Sequence, residues 1–384
     1  MGALAPVASQ AQPLPGDSAG LQLACSVTTS EEIRLGSIEG DEDYIFGQIA
    51  DIAVARDGSI YVADLHPQSV RRFDAQGRFV ERVGRVGEGP GEYASIVGMG
   101  IIDGRQIAVW DYGTRRITVY DSAGDYERAV RVPGGLATRD GFHVDRNGGF
   151  YVKTFSEPPR MATDGRLTGV RFGFLAMSAN GVVLDTIHLP AVEETFLVPT
   201  PQGTLRPFPT NDLWALNPSG RITRYSSEWH ALELSDGDAG AVLALADLPP
   251  VRLEPEERRE WEAVARFSER ATGRSFPPVP STKPPFQSMW VDADGRIWLR
   301  RHVRAAKRDL PETVETRSRL RRPNVTWLED GVFDLYSPAG RYLGCVALPW
   351  TVRPRVASGS HVWGTERGAF DEEYVVRWRL HGLR

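Results

Sequence analysis

Val62, Asp64, Val70, Phe73, Asp74, Gly77 and Phe79 return in kind 47 residues later as Val109, Asp111, Ile117, Tyr120, Asp121, Gly124 and Tyr126. The two phrases, "GSIYVADLHPQSVRRFDAQGRF" from position 58 and "RQIAVWDYGTRRITVYDSAGDY" from position 105, each read as strand, turn, strand. A constant offset of this size marks a stacked supersecondary unit that cannot bury its apolar faces alone. The chain should therefore fold as an array.

Weaker copies follow. "RNGGFYVKT" (146–154) and "FLAMSANGVVLDTI" (174–187) make a third unit, with a long loop between them. "WALNPSGRITRYSSEWHALELSD" (214–236) makes a fourth. "MWVDADGRIWLRR" (289–301) and "FDLYSPAGRYLGCVAL" (333–348) make a fifth, expanded through 302–330. A sixth copy (358–380) supplies only three strands. "EEIRLGSIEG" (31–40) has the alternation of a strand and no unit of its own, so pairing it beside the last strand closes a ring and removes an exposed edge. The 39 Gly and 27 Pro are spread along the chain as turn punctuation. The expected fold is an all-β, six-bladed β-propeller of four-stranded blades, a single domain over 21–384. One insertion breaks the pattern: residues 253–273 place Leu253, Trp261, Val264, Ala265, Phe267 and Ala271 near one face of a helix.

The two best phrases resemble the NHL-type β-propeller repeat and, more closely, bacterial six-bladed propeller proteins of the kind found exported. The resemblance implies the fold, and with it a periplasmic or extracellular location, the cytoplasm being the alternative; it implies no reaction, since propellers of related repeat type include scaffolds, lactonases and lyases. Residues 1–20 have a short apolar stretch and small residues like the tail of a secretory signal, without a basic leader; a frayed terminus is the alternative reading. Cys25 and Cys345 are the two cysteines. They pair if the protein is exported, or remain buried thiols.

Charge narrows the partners. With 45 basic and 50 acidic side chains the net charge is −5, and the Arg-rich stretch 300–322 is interleaved with Asp, Glu and Pro, so nucleic acid is not an expected partner. No segment is apolar enough over the roughly 20 residues a membrane helix needs. A monomer binding a small molecule, glycan or peptide is expected, with a protein partner as an alternative.

Candidate site residues come from the repeat alignment. It brings Asp64, Asp111, Thr154, Ser226, Arg301 and Glu366 to one level and Ala63, Trp110, Lys153, Tyr225, Arg300 and Thr365 to the next. A ring of charged and aromatic side chains at the channel mouth can orient a polar ligand and cover its apolar face. The competing reading is that Asp64 and Asp111 cap turns in their own blades. Lys153, Arg300 and Glu366 break the repeat and are the better functional candidates. His143 falls in a strand beside the axis, as a base, a ligand or a hydrogen-bonded core residue. No cofactor is required; Ca²⁺ or Zn²⁺ held by Asp64, Asp111, Glu366 or His143 would support a hydrolase or lyase alternative. A third alternative is a docking scaffold built on the inserted helix and the Arg-rich loop.

Overall fold

The computed structural model describes residues 25–134, 137–157, 160–161, 167–168, 171–189, 208, 210, 212–234, 240–272, 278–310 and 323–383. Residues 1–20, Gly273 and part of each long loop fall outside that set. Six four-stranded antiparallel sheets follow one another along the chain. Blade one is Ile49–Val54, Ile60–Leu65, Gln68–Phe73 and Phe79–Val83; blade two is Ile96–Ile102, Gln106–Asp111, Arg116–Tyr120 and Tyr126–Arg131. Blade three is Ala137–Val144, Phe150–Glu157, Arg171–Met177 and Val183–His188; blade four is Leu213–Leu216, Ile222–Ser226, Ala231–Leu234 and Ala241–Ala244. Blade five is Phe286–Val291, Ile297–Arg301, Gly331–Tyr336 and Tyr342–Leu348. Blade six takes Val352–Ser358, His361–Arg367 and Glu373–His381, completed by Thr28–Leu35 from the start of the chain. The protein is a six-bladed β-propeller.

The repeated Asp-x-x-Gly phrase makes the turns. Asp74 Oδ1 accepts from the amides of Gln76 and Arg78, and Asp121 Oδ1 from those of Ala123 and Asp125. Gly77 and Gly124 hold φ of 83° and 81°, where a side chain would be strained. Asn217 repeats the arrangement with Ser219 and Arg221, which is why the irregular fourth unit still closes into a blade.

Burial follows the seams between blades. Ala63, Met99 and Tyr93 fill the seam of blades one and two; Trp110, Phe150 and Val152 that of two and three. Tyr225, Phe286 and Leu299 fill the seam of four and five, and Trp298, Val352 and Val362 that of five and six. Trp363, Val375 and Ile52 fill the seam of six and one. The seam of three and four buries the smallest described set, Phe174, Leu189 and Leu216. Because strand side chains alternate, each blade offers one apolar face to each neighbour, and apolar burial at about 25 cal/mol per Å² holds the ring shut.

Thr28–Leu35 pairs antiparallel with Glu373–His381. Just ahead of it, Val27 bridges to Val346 on the outer strand of blade five. Cys25 is disulfide-bonded to Cys345 on that same strand, with Cα atoms 4.9 Å apart, so the ring closure is both hydrogen-bonded and covalent.

Helix α1 (Pro255–Thr272) leaves the body between blades four and five. Glu257 reaches back to the Glu254 amide, half of a capping box. Val264 and Ser268 are buried, and Trp261 packs edge-on to Phe208 at 5.4 Å. Trp261 and Phe267 are partly covered, so the helix is a brace on the body and its apolar face is not an open docking surface.

Candidate ligand site at one end of the axis

Neighbouring first strands lie against one another around the axis, in blades one and two, two and three, four and five, and six and one. The two ends of the propeller differ in loop length. Described turns joining first to second and third to fourth strands are short. The long excursions, 158–170, 189–212, 245–285 and 302–330, all leave or return where second strands finish and first strands begin. That end also carries the two most exposed described aromatics, Trp229 (61%) and Phe370 (73%), each in a turn between second and third strands.

Asp64, Asp111, Thr154, Arg301 and Glu366 each pair with the first residue of the first strand of their own blade, but most of the aligned side chains point into seams or into their own blade. Trp110 and Tyr225 are buried in seams, the latter edge-on to Phe286 at 5.0 Å. Asp64 accepts from the amides of Gly47, Gln48 and His66. Asp111 accepts from those of Ala94, Ser95 and Gly113 and from the Thr114 hydroxyl. Both carboxylates are fully buried and pin the strand that precedes them, so they do not face a ligand and are not available to a cation. Arg301 is buried on Asp334, Nε to Oδ2 at 2.5 Å. Glu366 holds Arg34 at 2.5 Å and the Thr351 hydroxyl at 2.7 Å near the surface of blade six. Lys153 lies over Phe172 and Trp214, 4.8 and 5.8 Å from the ring centroids, in the seam of blades three and four. The residues of the expected ring thus divide among seam fillers, strand anchors and ion pairs. Among the described residues no three His, Cys, Asp or Glu side chains are placed to share a metal ion.

His143 Nε2 lies 3.1 Å from the Asn217 carbonyl, tying blade three to blade four. Burial pushes its imidazole below the usual range. A histidine with a lowered folded pKa adds stability at neutral pH that is lost as the pH falls from 6.5 through the folded value. His143→Gln should therefore flatten the acid limb of the stability profile, which in the parent steepens by about 1.4 kcal/mol per pH unit for one such group. Urea titrations from pH 7.5 to 4.5 measure this; an unchanged slope would mean that His143 is protonated equally in both states.

Arg300 of blade five stands apart. Arg300 has a buried Nε with no hydrogen bond. Other described arginines in that state anchor their terminal nitrogens, as Arg71 does on the Ile45 carbonyl and Arg367 on Asp371 and Glu373. Arg300 makes no such bond, and Arg353 and Arg355, on the first strand of blade six, make no hydrogen bond or ion pair to any described residue. Partial desolvation and the charges of Arg367, Arg355 and Arg300 outweigh the Glu373 carboxylate and hold the Arg353 guanidinium below the usual arginine range, although its side chain is open to solvent. Arg355 in turn acts on Asp51, on the first strand of blade one, whose carboxyl burial nonetheless pushes up. Asp51 is not free: it accepts from the amides of Ile52 and Met99.

Repeat alignment of the second strands could not find Arg353, Arg355 or Asp51, which belong to first strands. The Arg-Pro-Arg alternation in "VRPRV" was the available signal. Pro354 is tolerated because its missing donor lies on the inner edge of the sheet. The pairing slips between Pro354 and Val356, leaving Arg355 unpaired in a bulge.

A buried network joins this end to α1. Lys283 Nζ lies 2.6 Å from Glu257 on the helix and 2.7 Å from Glu329. Glu329 also takes His302 Nδ1 at 3.0 Å, Gln287 Nε2 at 2.8 Å and the Val303 amide at 2.7 Å. Burial raises the Glu329 carboxyl, but His302 and Lys283 outweigh it and hold it below the usual range.

A family described as a six-bladed beta-propeller matches residues 30–158, from the closing strand into blade three. Among solved structures, a member of the duf4221 family from Bacteroides vulgatus is 10% identical, with 92% of this chain and 98% of that one covered and a TM-score of 0.50. A gluconolactonase from Xanthomonas campestris is 11% identical over 88% and 87% of the two chains, TM-score 0.42. The virginiamycin B lyase of Staphylococcus aureus is 9% identical over 92% and 99%, TM-score 0.39. These likenesses concern the fold. No curated protein sequence matches the chain.

Proposed function

We propose that this chain is an exported binding propeller that takes a small molecule, glycan or peptide where second strands end and first strands begin. The observation that carries the reading is a coincidence of place: the long excursions, the brace helix and two exposed aromatics share one end. Fold-forming residues repeat from blade to blade, whereas these do not, and rigid scaffolds carry function on such loops. Export is supported by the Cys25–Cys345 disulfide, a bond that persists in oxidising compartments. Among the described residues no helix is long and apolar enough to cross a membrane.

The test is a glycan, peptide and metabolite binding screen on the oxidised protein, repeated on Trp229→Ala with Phe370→Ala. Hits that weaken at least tenfold in the double variant, with the melting temperature kept, support the reading. Hits indifferent to every change at this end would place the site elsewhere. Elemental analysis goes with it, since stoichiometric calcium or zinc would move the reading to a metal-dependent hydrolase or lyase.

A further inference from the structure

We propose that a zwitterion of the α-amino acid type, with one carboxylate and one ammonium, binds in the cavity that Glu88, Gly113, Thr114, Arg116 and Arg131 line on blade two. The inference deepens the binding reading above and rests on it, because the cavity opens at the same end of the propeller. Gly113 and Thr114 lie in the turn between second and third strands. Arg116 begins the third strand, Arg131 ends the fourth, and Glu88 belongs to the loop that enters from blade one. The cavity holds about 270 Å³, just below the roughly 300–1,000 Å³ of pockets for drug-sized ligands. It therefore suits a molecule of amino-acid size.

The charges on its wall are of both signs and stand apart. Arg116 and Arg131 are directly opposed partners on adjacent strands, so their side chains leave the sheet on one face, and like charges so placed repel. Glu88 lines the same cavity, yet its carboxylate makes no ion pair with either guanidinium and no hydrogen bond to any other described residue. Two cations with a carboxylate held off from them are the complement of a zwitterion. The ligand carboxylate matches the guanidinium fork, and its ammonium matches Glu88. Thr114 Oγ1 donates to Asp111 Oδ2 at 2.7 Å, which leaves its lone pairs to accept from that ammonium. A simple anion would meet the Glu88 charge, and a simple cation would meet two arginines.

The backbone around the cavity is fixed before any ligand arrives. Arg116 Nη2 donates to the Glu88 carbonyl and lies 3.5 Å from the Gly89 carbonyl, tying the third strand to the entering loop. Glu92 braces that loop, accepting from Arg85 Nε at 2.7 Å and from the Gly89 amide at 2.8 Å. The Gly87 amide donates to the Tyr93 carbonyl at 3.0 Å, and Gly87 and Gly91 hold φ of 152° and 72°, where a side chain would be strained. On the other side Arg115 Nη1 reaches the Gly134 carbonyl at 2.7 Å and the Val132 amide donates to the Arg115 carbonyl at 3.0 Å, fastening the chain just after Arg131. Only the exposed Glu88 and Arg131 side chains are left to be ordered on binding, which keeps its entropic cost small.

The probes are the common free amino acids and glycylglycine, titrated calorimetrically, each hit followed by its N-acetyl and carboxamide derivatives. At least one zwitterion is expected to bind, and each derivative at least tenfold more weakly, because each has lost one of the two charges. Arg131→Gln should weaken the parent ligand at least tenfold and remove the penalty for amidation. Glu88→Gln should weaken it likewise and remove the penalty for acetylation. Tighter binding of glycylglycine than of glycine points to a short peptide and the reverse to a free amino acid; either supports the site. No binding by any probe, equal binding of the N-acetyl form, or full binding in both glutamine variants would overturn the proposal. The derivative series needs no variant, so the test stands even where a substituted protein fails to fold. The screen separates the two ideas: a hit that needs Trp229 and Phe370 but neither Glu88 nor Arg131 keeps the binding reading and removes the zwitterion site.

Discussion

Reduction of the Cys25–Cys345 bond is expected to lower the unfolding free energy by about 2–5 kcal/mol. The two cysteines close a loop over 320 residues of sequence separation, which puts the entropic restraint on the unfolded chain near the top of its range, since that restraint grows with the logarithm of loop length. The bond also sits at the one place where the ring is not continuous in sequence. Thr28–Leu35 must find Glu373–His381 from the far end of the chain, and the disulfide anchors the residues just ahead of it to blade five. Urea unfolding with and without a reductant, and of Cys25→Ala with Cys345→Ala, measures the effect. Unchanged midpoints would mean that strand pairing and the seam of blades five and six close the ring unaided.

Arg301→Met is expected to cost about 3–5 kcal/mol, whereas Arg300→Gln, one residue earlier, should leave stability unchanged or raise it. Arg301 and Asp334 are buried together, and removal of the guanidinium leaves Asp334 with only the Tyr342 hydroxyl, at 3.2 Å. Removing both charges with Arg301→Met and Asp334→Leu should restore most of the loss, because an apolar pair has no desolvation cost to offset. Arg300 is partly buried and makes no hydrogen bond to a described residue, and burial outweighs the one charge that favours it, that of Glu329, so its removal relieves a cost. Denaturant midpoints of the four proteins settle the matter. If Arg300→Gln proves as damaging as Arg301→Met, Arg300 belongs to the fold.

Adjacent arginines with opposite expected roles show where sequence reading stops. The repeat places Arg300 and Arg301 at equivalent levels to Lys153 and Asp111, near the end of the second strand of each blade. Alternation along a strand then sends one side chain to Asp334 and leaves its neighbour unpartnered. Asp64 and Asp111 behave as the turn-capping reading anticipated, because a residue repeated at the same offset meets the same backbone amides in each blade. Trp110 and Tyr225 went to seams for the converse reason: large apolar surface is most stabilising where two blades meet.

What the sequence determined was everything that repeats: four strands per unit, Asp-Gly turns, six units, an orphan first strand to close the ring, and one amphipathic helix. These depend on local hydrogen bonding and on periodicity, both carried within about 50 residues of chain. Tertiary structure alone decided the pairing of Cys25 with Cys345, the burial of Lys283 between Glu257 and Glu329, and the end that carries the long loops. Each of these joins residues from different blades or from opposite ends of the chain, and such distances are set by how the blades pack around the axis rather than by spacing along any one of them.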